Sequence, residues 1–355
     1  MCQYKLDSYL KSFCGEHPEY MNLYATWSLN RKTCSDALKT VVIHYPHFSM
    51  HDSSHSEAIL AKIEMLLGSR IRNLSPTDAW LILHAAYTHD LGMVLKWEAI
   101  EKEWETPRFR NYLSSLTQSA DSELRGAAVF LRDFKERNDI SPLWPLKTHR
   151  YVNRINADYF RGQHARISGR YLYGFGSDLS IDLGHNNMIQ PRLLNHIVMS
   201  KVLHTEKPEQ VLGLPYQTDG FGPDYAHPRF VAMLLRLGDL LDIDNGRFNT
   251  ACELASGGLP ETSVPHKEKH EATTHILVTP EEIQFSSDCP DSQAYLETRN
   301  FVTWLESEVD FLTKYWARIT PKDLGGYAPR FESKELFIRG VRDIEGRSEE
   351  HTSEL

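Results

Sequence analysis

Residues 75–93 read SPTDAWLILHAAYTHDLGM, and this stretch decides what kind of fold the chain adopts. Ser75 offers a side-chain acceptor suited to an N-cap. Pro76 sits where a helix tolerates a missing N–H, and Asp78 places an acid three residues after the cap. The run that follows is apolar on nearly every side, so the predicted helix has no solvent face. It belongs at the centre of a helical body and is expected to end at Gly92. Inside this greasy segment lie His89 and Asp90. An ionised Asp buried beside an imidazole costs several kcal/mol unless a cation or strong hydrogen bonds compensate. The pair therefore marks either a metal position or a tightly bonded helix end.

Working outward, similar start and stop signals predict helices over residues 52–67, 122–137, 150–172, 191–204 and 228–241. After Gly246 the composition changes. SGGLPETSVP is loop-like, THILVT and EIQFS flanking Pro280 and Glu281 read as a two-stranded unit, and residues 293–319 carry apolar positions at helical spacing. The expected fold is mainly α: an N-terminal helical extension over 1–50, a helical bundle over 51–246, and an appended region over 247–346 with a β-hairpin and a C-terminal helix. Residues 347–355, RSEEHTSEL, look like translated sequencing adapter; the natural frame is then expected to have been cut near Gly346, with a further C-terminal domain possible beyond it.

The chain has 355 residues, 41% hydrophobic and 25% charged, which sets aside disordered and disulfide-scaffold classes. A net charge of −9 argues against binding nucleic acid over the whole surface and directs the search to local pockets. No apolar run approaches the ~18 residues of a membrane span, and the N-terminus lacks a signal-peptide core. Five scattered cysteines with no C-x-x-C pair fit a reducing, cytoplasmic setting and argue against a zinc knuckle. Histidine is the residue in excess: there are 17, of which 12 fall between His44 and His227. Imidazole is the commonest metal ligand, so this clustering makes a metal site worth testing.

Two further segments share the logic of His89-Asp90. SMHDSSHSEAIL puts Asp52 at a helix N-cap and His55 on the first turn; RLGDLLDIDNGR places Asp239 within a leucine-rich helix. In order and type, His55, His89, Asp90 and Asp239 resemble the HD superfamily of metal-dependent phosphohydrolases, whose signature is a helix-borne His, an adjacent His-Asp and a distant Asp. Arg236, Asp239 and Asp242 also match the R-x-x-D-x-x-D form of its last motif. The resemblance implies an HD-type helical bundle in which those four residues hold a first divalent metal. His164 and His204 would hold a second, and Asp90 would bridge the metals or orient water. Met93 departs from the Lys that many members carry after H-D-x-G. The LGM form and the strand-containing tail also resemble a subgroup joined to chaperone-like ATPase domains.

Imidazole with carboxylate suits Mn, Fe, Ni, Co or Zn, with Mg also possible, and one or two ions are expected. Such a cation acidifies bound water and neutralises phosphate charge. Phosphate also needs positive protein groups. Arg150, Arg154 and Arg161 share a helix face at steps of four and seven, Arg166 and Arg170 repeat the four-residue step, and Lys201 lies on the His204 helix. A solvated basic face is the alternative for the same residues. Asp90 is one catalytic candidate; His51, which precedes the helix over 52–67, is a second, as proton donor or substrate contact, with a surface role as the equal alternative. His84, five residues before His89, lies about 140° around the helix and is expected to be a core residue. His266, His270 and His275 are expected to be structural or exposed.

The expected function is hydrolysis of a nucleotide or related small phosphoester, with a (deoxy)nucleoside triphosphate favoured by the resemblance. Two alternatives stand beside it: a metal-dependent nucleotide sensor controlling a missing C-terminal effector, and a single-strand nuclease or cyclic-nucleotide phosphodiesterase. The chain lacks a P-loop, a Rossmann turn and a G-x-S-x-G elbow, which removes three other routes to phosphate or acyl chemistry.

Overall fold

The computed structural model describes residues 5–46, 51–133, 144–171, 182–185, 187–243, 248, 253–254, 258–259 and 263–338, apart from the side chains of 144–145, 170–171 and 334–335. Cys2, Cys252, the end of the helix expected over 122–137 and the adapter-like tail lie outside them. In chain order the helices are α1 Leu6–Glu16, α2 Met21–Leu38, α3 Val41–His44, α4 Ser53–Leu67, α5 Pro76–Thr88, α6 Trp97–Trp104 and α7 Pro107–Leu116. They continue as α8 Ser122–Arg132, α9 Trp144–Arg161, α10 His164–Tyr171, α11 Pro191–Leu203, α12 Pro228–Leu240, α13 Val264–Ala272 and α14 Ser292–Ile319. Helix dominates, with a small β element appended.

Every residue of α5 is buried, as its all-round apolar sequence requires. The Ser75 hydroxyl accepts the Asp78 N–H at 2.9 Å. Asp78 does not turn back to the cap. Its carboxylate accepts the backbone N–H of His227 at 2.7 Å and the ring Nδ1–H at 2.6 Å, fastening the start of α12 onto the start of α5. Helices α1, α2, α4, α11 and α12 surround α5. The N-terminal helices are part of this centre: Leu6, Leu23 and Trp27 share one apolar cluster with Trp80 and Leu83. Glu64 of α4 accepts the Leu6 N–H at 2.9 Å, capping α1 from a distant segment because Lys5 supplies no side-chain cap. His84 is fully buried, accepting from Asn30 at 3.0 Å and donating to the Trp80 carbonyl at 2.9 Å.

Two expectations about this bundle need correction. Helix α5 stops at Thr88, and Leu91–Met93 form a 3-10 turn, so Gly92 is not its terminator. Gly92 is required by a close approach instead: a Cβ there would lie 2.0 Å from the His164 carbonyl oxygen and 2.6 Å from the Ser168 nitrogen. The helix expected over 150–172 is two helices, α9 and α10, parted at Gly162 and Gln163, where the chain leaves helix and restarts with His164 as its first residue.

A second apolar cluster joins Leu66 of α4 and Met233 and Leu237 of α12 to Ile283, Phe285 and Leu305. The expected hairpin is present as β3 Thr273–Val278 and β4 Glu282–Cys289, which pair antiparallel; β1 Thr218–Asp219 and β2 Tyr225–Ala226 form a separate small pair. An unexpected third strand, β5 Arg330–Ile338, lies parallel to β4. Parallel pairing demands a crossover, and α14, 28 residues long with non-helical backbone at Tyr315, supplies it. Arg236 of α12 and Glu308 of α14, both buried, form an ion pair with one contact at 3.0 Å, pinning the crossover helix to the bundle. Among the described residues no helix is long and apolar enough to cross a membrane.

Candidate metal centre

Three segments far apart in sequence deliver one group of side chains to a common point. Asp52 caps α4 by accepting the Ser54 N–H at 2.8 Å, which sets His55 on the first turn. Helix α12 can lie against α4 because residue 238 is glycine: a Cβ there would meet Ile63 at 2.8 Å and Ile59 at 3.0 Å. This approach brings Asp239 Oδ1 to 3.3 Å from His55 Nε2 and 4.0 Å from His89 Nε2. Past the end of α5, Asp90 Oδ2 lies 3.1 Å from His89 Nε2 and 3.5 Å from His55 Nε2. The imidazoles of His55 and His89 face each other Nε2 to Nε2 at 3.3 Å.

The other oxygen of Asp90 faces a second group. Ser168 links the 88–93 turn to α10, with its hydroxyl donating to the His89 carbonyl at 2.5 Å and accepting the Gly92 N–H at 2.6 Å. This docking leaves His164 Nε2 at 3.4 Å from Asp90 Oδ1 and 3.3 Å from His204 Nε2, just past α11. Arg236 holds that corner, donating to the His204 carbonyl at 3.2 Å and the Glu206 carbonyl at 2.6 Å. His51, half-buried, lies with its ring centroid 5.3 Å from that of His55, within ligand reach of His55 and Asp90. Three overlapping groups able to hold an ion result: His51-His55-Asp90, His55-His89-Asp239 and Asp90-His164-His204.

The outer ring nitrogens decide how these imidazoles are presented. Nδ1 of His89 donates to the Ala86 carbonyl at 2.9 Å, Nδ1 of His164 to Arg161 at 2.7 Å, and Nδ1 of His204 to Lys201 at 2.5 Å. His55 gives its Nδ1 proton to the buried carboxylate of Asp242 at 2.6 Å. Four rings thus turn Nε2 inward, in two pairs opposed nitrogen to nitrogen. Acceptor lone pairs opposed at 3.3 Å repel unless positive charge lies between them. Burial would raise the Asp90 carboxyl, but the charge and hydrogen bond of His89, with His51 and His164, hold it well below the usual carboxylate range. Asp239 is likewise lowered against its burial, by the hydrogen bond from His55 and the His89 charge. Burial lowers His89, but the charge and hydrogen bond of Asp90 outweigh it and push the ring up to about 9. Burial and the His89 charge push His204 down to about 4, keeping it a neutral donor. Imidazole nitrogens gathered with lowered carboxylates suit a divalent first-row ion, and Asp90 turns one oxygen toward each group.

A cleft of about 250 Å³ opens over this cluster, reached by His51, Asp90, His164, His204 and Asp239. Of the candidate phosphate contacts, Arg161 lines the cleft. Arg154 is buried against Asp121 at 3.1 Å and Glu123 at 3.7 Å, and Arg150 meets Glu123 at 3.1 Å, so both tie α9 to α8 outside the cleft. Arg166 is exposed, 3.7 Å from Glu206. The Arg170 side chain lies outside the described residues. Lys201 is fully buried behind the cluster, its Nζ donating to the Ser168 carbonyl at 2.7 Å, and burial pushes it down to about 7.

The sequence reading missed the far wall. His266, Lys269 and His270 of α13, with Phe301 and Trp304 of α14, line the same cleft, although the two histidines were expected to be structural or exposed. Met93 also lines it. The available signal was the three-residue and four-residue spacing of His266, Lys269 and His270, which puts them on one helix face. Nothing in that spacing says which face meets the metal cluster.

No curated protein and no solved structure matches the chain. The HD-CE family model matches residues 45–310, which takes in every ligand of the cluster and the α13 wall. On that match and on the arrangement of His55, His89, Asp90 and Asp239, the chain belongs to the HD-CE family, an HD-type domain family.

Proposed function

We propose that the chain is a metal-dependent phosphohydrolase acting on a nucleotide or related phosphoester. The observation that supports it best is the pair of opposed Nε2 contacts, each at 3.3 Å, with one Asp90 oxygen on either side. His55, His89, Asp90 and Asp239 would hold one ion, and Asp90, His164 and His204 the other. Divalent ions there supply charge neutralisation on phosphate oxygens and acidify water.

The chain's own residues do the rest. Asp90 orients both groups and accepts hydrogen bonds from water at the cleft floor. His51, on the open side of His55, is placed to pass a proton to a leaving oxygen. Arg161, exposed at the rim, meets phosphate oxygens as they enter. The buried wall of α5 and the 91–93 turn exclude water from behind the cluster.

The test is elemental analysis of gently purified protein combined with a hydrolysis screen over nucleoside triphosphates, cyclic nucleotides, monophosphates and single-stranded oligonucleotides. Metal uptake with turnover in wild type and none in Asp90→Ala is expected. A wild type that leaves every substrate intact, indistinguishable from Asp90→Ala, defeats the enzyme reading. Metal uptake with ligand-dependent stabilisation and no turnover points to a sensor, the role suited to a chain joined to an ATPase-like effector.

A further inference from the structure

The cleft has a polar floor, the metal cluster, and an aromatic edge. Trp304 of α14 lines the same cleft as Asp90 and Asp239 yet is 54% exposed, an uncommon position for so large a ring, so it stands at the mouth. The ring is held there. Its Nε1–H donates to Glu308 at 3.3 Å, one turn further along α14, and Glu308 is itself buried in the ion pair with Arg236. Phe301, one turn earlier and 6% exposed, adds a buried ring to the same wall.

Resting on the hydrolase reading above, we infer that Trp304 is a stacking platform for the base of a nucleotide whose phosphate lies at the metal cluster. The chemistry divides along the cleft: phosphate belongs at the cations of the floor, and a planar ring belongs against the indole. The cleft, at about 250 Å³, is smaller than the ~300–1,000 Å³ of sites that enclose a drug-sized ligand. A nucleotide seated phosphate-first therefore leaves its base at the mouth, where the exposed part of Trp304 lies. A sugar phosphate, having no such ring, gains nothing there. Because the indole N–H is committed to Glu308, Trp304 offers a π-face and no hydrogen bond. It holds purine and pyrimidine alike and does not read a base edge, so the substrate class is a nucleotide of relaxed base identity.

Isothermal titration of the metal-loaded full chain tests this, with metal content measured on the same samples. The probes are phosphonate analogues of adenosine monophosphate, uridine monophosphate and ribose 5-phosphate, in which carbon replaces the ester oxygen so that none is hydrolysed. Wild type is expected to bind the adenosine analogue at least about fivefold more tightly than the ribose analogue. Trp304→Ala should weaken the adenosine analogue by about 5-fold to 150-fold, the range of one base on one aromatic ring, and the uridine analogue in the same direction. The ribose analogue should shift by less than about twofold. Trp304→Phe, which keeps a ring face and loses the bond to Glu308, retains most of the affinity; a loss as large as that of Trp304→Ala overturns the platform. Equal weakening of all three probes, of none, or of one base alone overturns it as well. So does a wild type that takes up metal and binds the ribose analogue as tightly as the two nucleotide analogues; in that case the metal reading stands. A wild type that takes up no metal overturns both.

Discussion

The two halves of the centre use the same imidazole and back it differently. Behind His55 stands the buried carboxylate of Asp242, and Asp239 adds a second charge from α12. Behind His164 and His204 stand, among the described residues, the carbonyls of Arg161 and Lys201, and the His164 side chain is 18% exposed against 2% for His55. A carboxylate behind an imidazole raises its basicity and locks its tautomer more firmly than a carbonyl does. The first half is therefore expected to be the tighter metal site and the second the weaker, exchangeable one. Among the described residues, Asp90 alone belongs to both.

The largest expected effect breaks the comparison at that shared residue. Asp90→Ala removes both metals, and elemental analysis returns none; a full equivalent retained would show that the halves do not depend on one carboxylate. His164→Ala should strip only the weaker half, leaving a single tightly held equivalent after dialysis, and loss of both ions would show the halves to be inseparable. Asp242→Asn keeps the shape behind His55 but removes its charge. Competition against a chelator should then show the tighter ion weakened by ~10–100-fold, with the weaker ion unmoved.

The smallest effect concerns His84, which serves neither half. Burial pushes it down to about 3 from an ordinary 6.5, so the ring is neutral in the folded chain and takes a proton on unfolding in acid. Its contribution to stability is complete above pH 6.5 and drains away as pH falls toward 3. Urea midpoints measured across that window should fall more steeply for wild type than for His84→Gln, while metal content at neutral pH stays equal. Matching slopes would mean that another group governs the acid side.

The same contrast shows how far the sequence could be read. His89, Asp90 and Asp239 were legible because each sits in or at the end of an apolar run where a polar group stands out, and His55 because it opens a helix just after a cap, ahead of an apolar stripe. His164 and His204 have no such setting and rested on resemblance. Asp242 was visible as part of a motif, but its task of orienting His55 was not, because that task is a contact between α4 and α12. The arginine run was legible as charge and ambiguous as function: Arg154 and Arg150 found partners on α8, and Arg161 alone among the described arginines of that run reached the cleft. The strand β5 was missed because its partner β4 lies a whole crossover helix away.

What the sequence determined by itself was local: the cap and apolar run of α5, the amphipathic stripes of the surrounding helices, and the residue types able to hold a metal. Those follow from periodicity and from the cost of burying charge, which neighbouring residues set. Only the tertiary structure decided that Gly92 and Gly238 would let helices close to contact, that Asp90 would turn one oxygen to each pair of imidazoles, and that α13 would face the metals. Those outcomes depend on how helices approach one another, and no periodicity within a single helix encodes that distance.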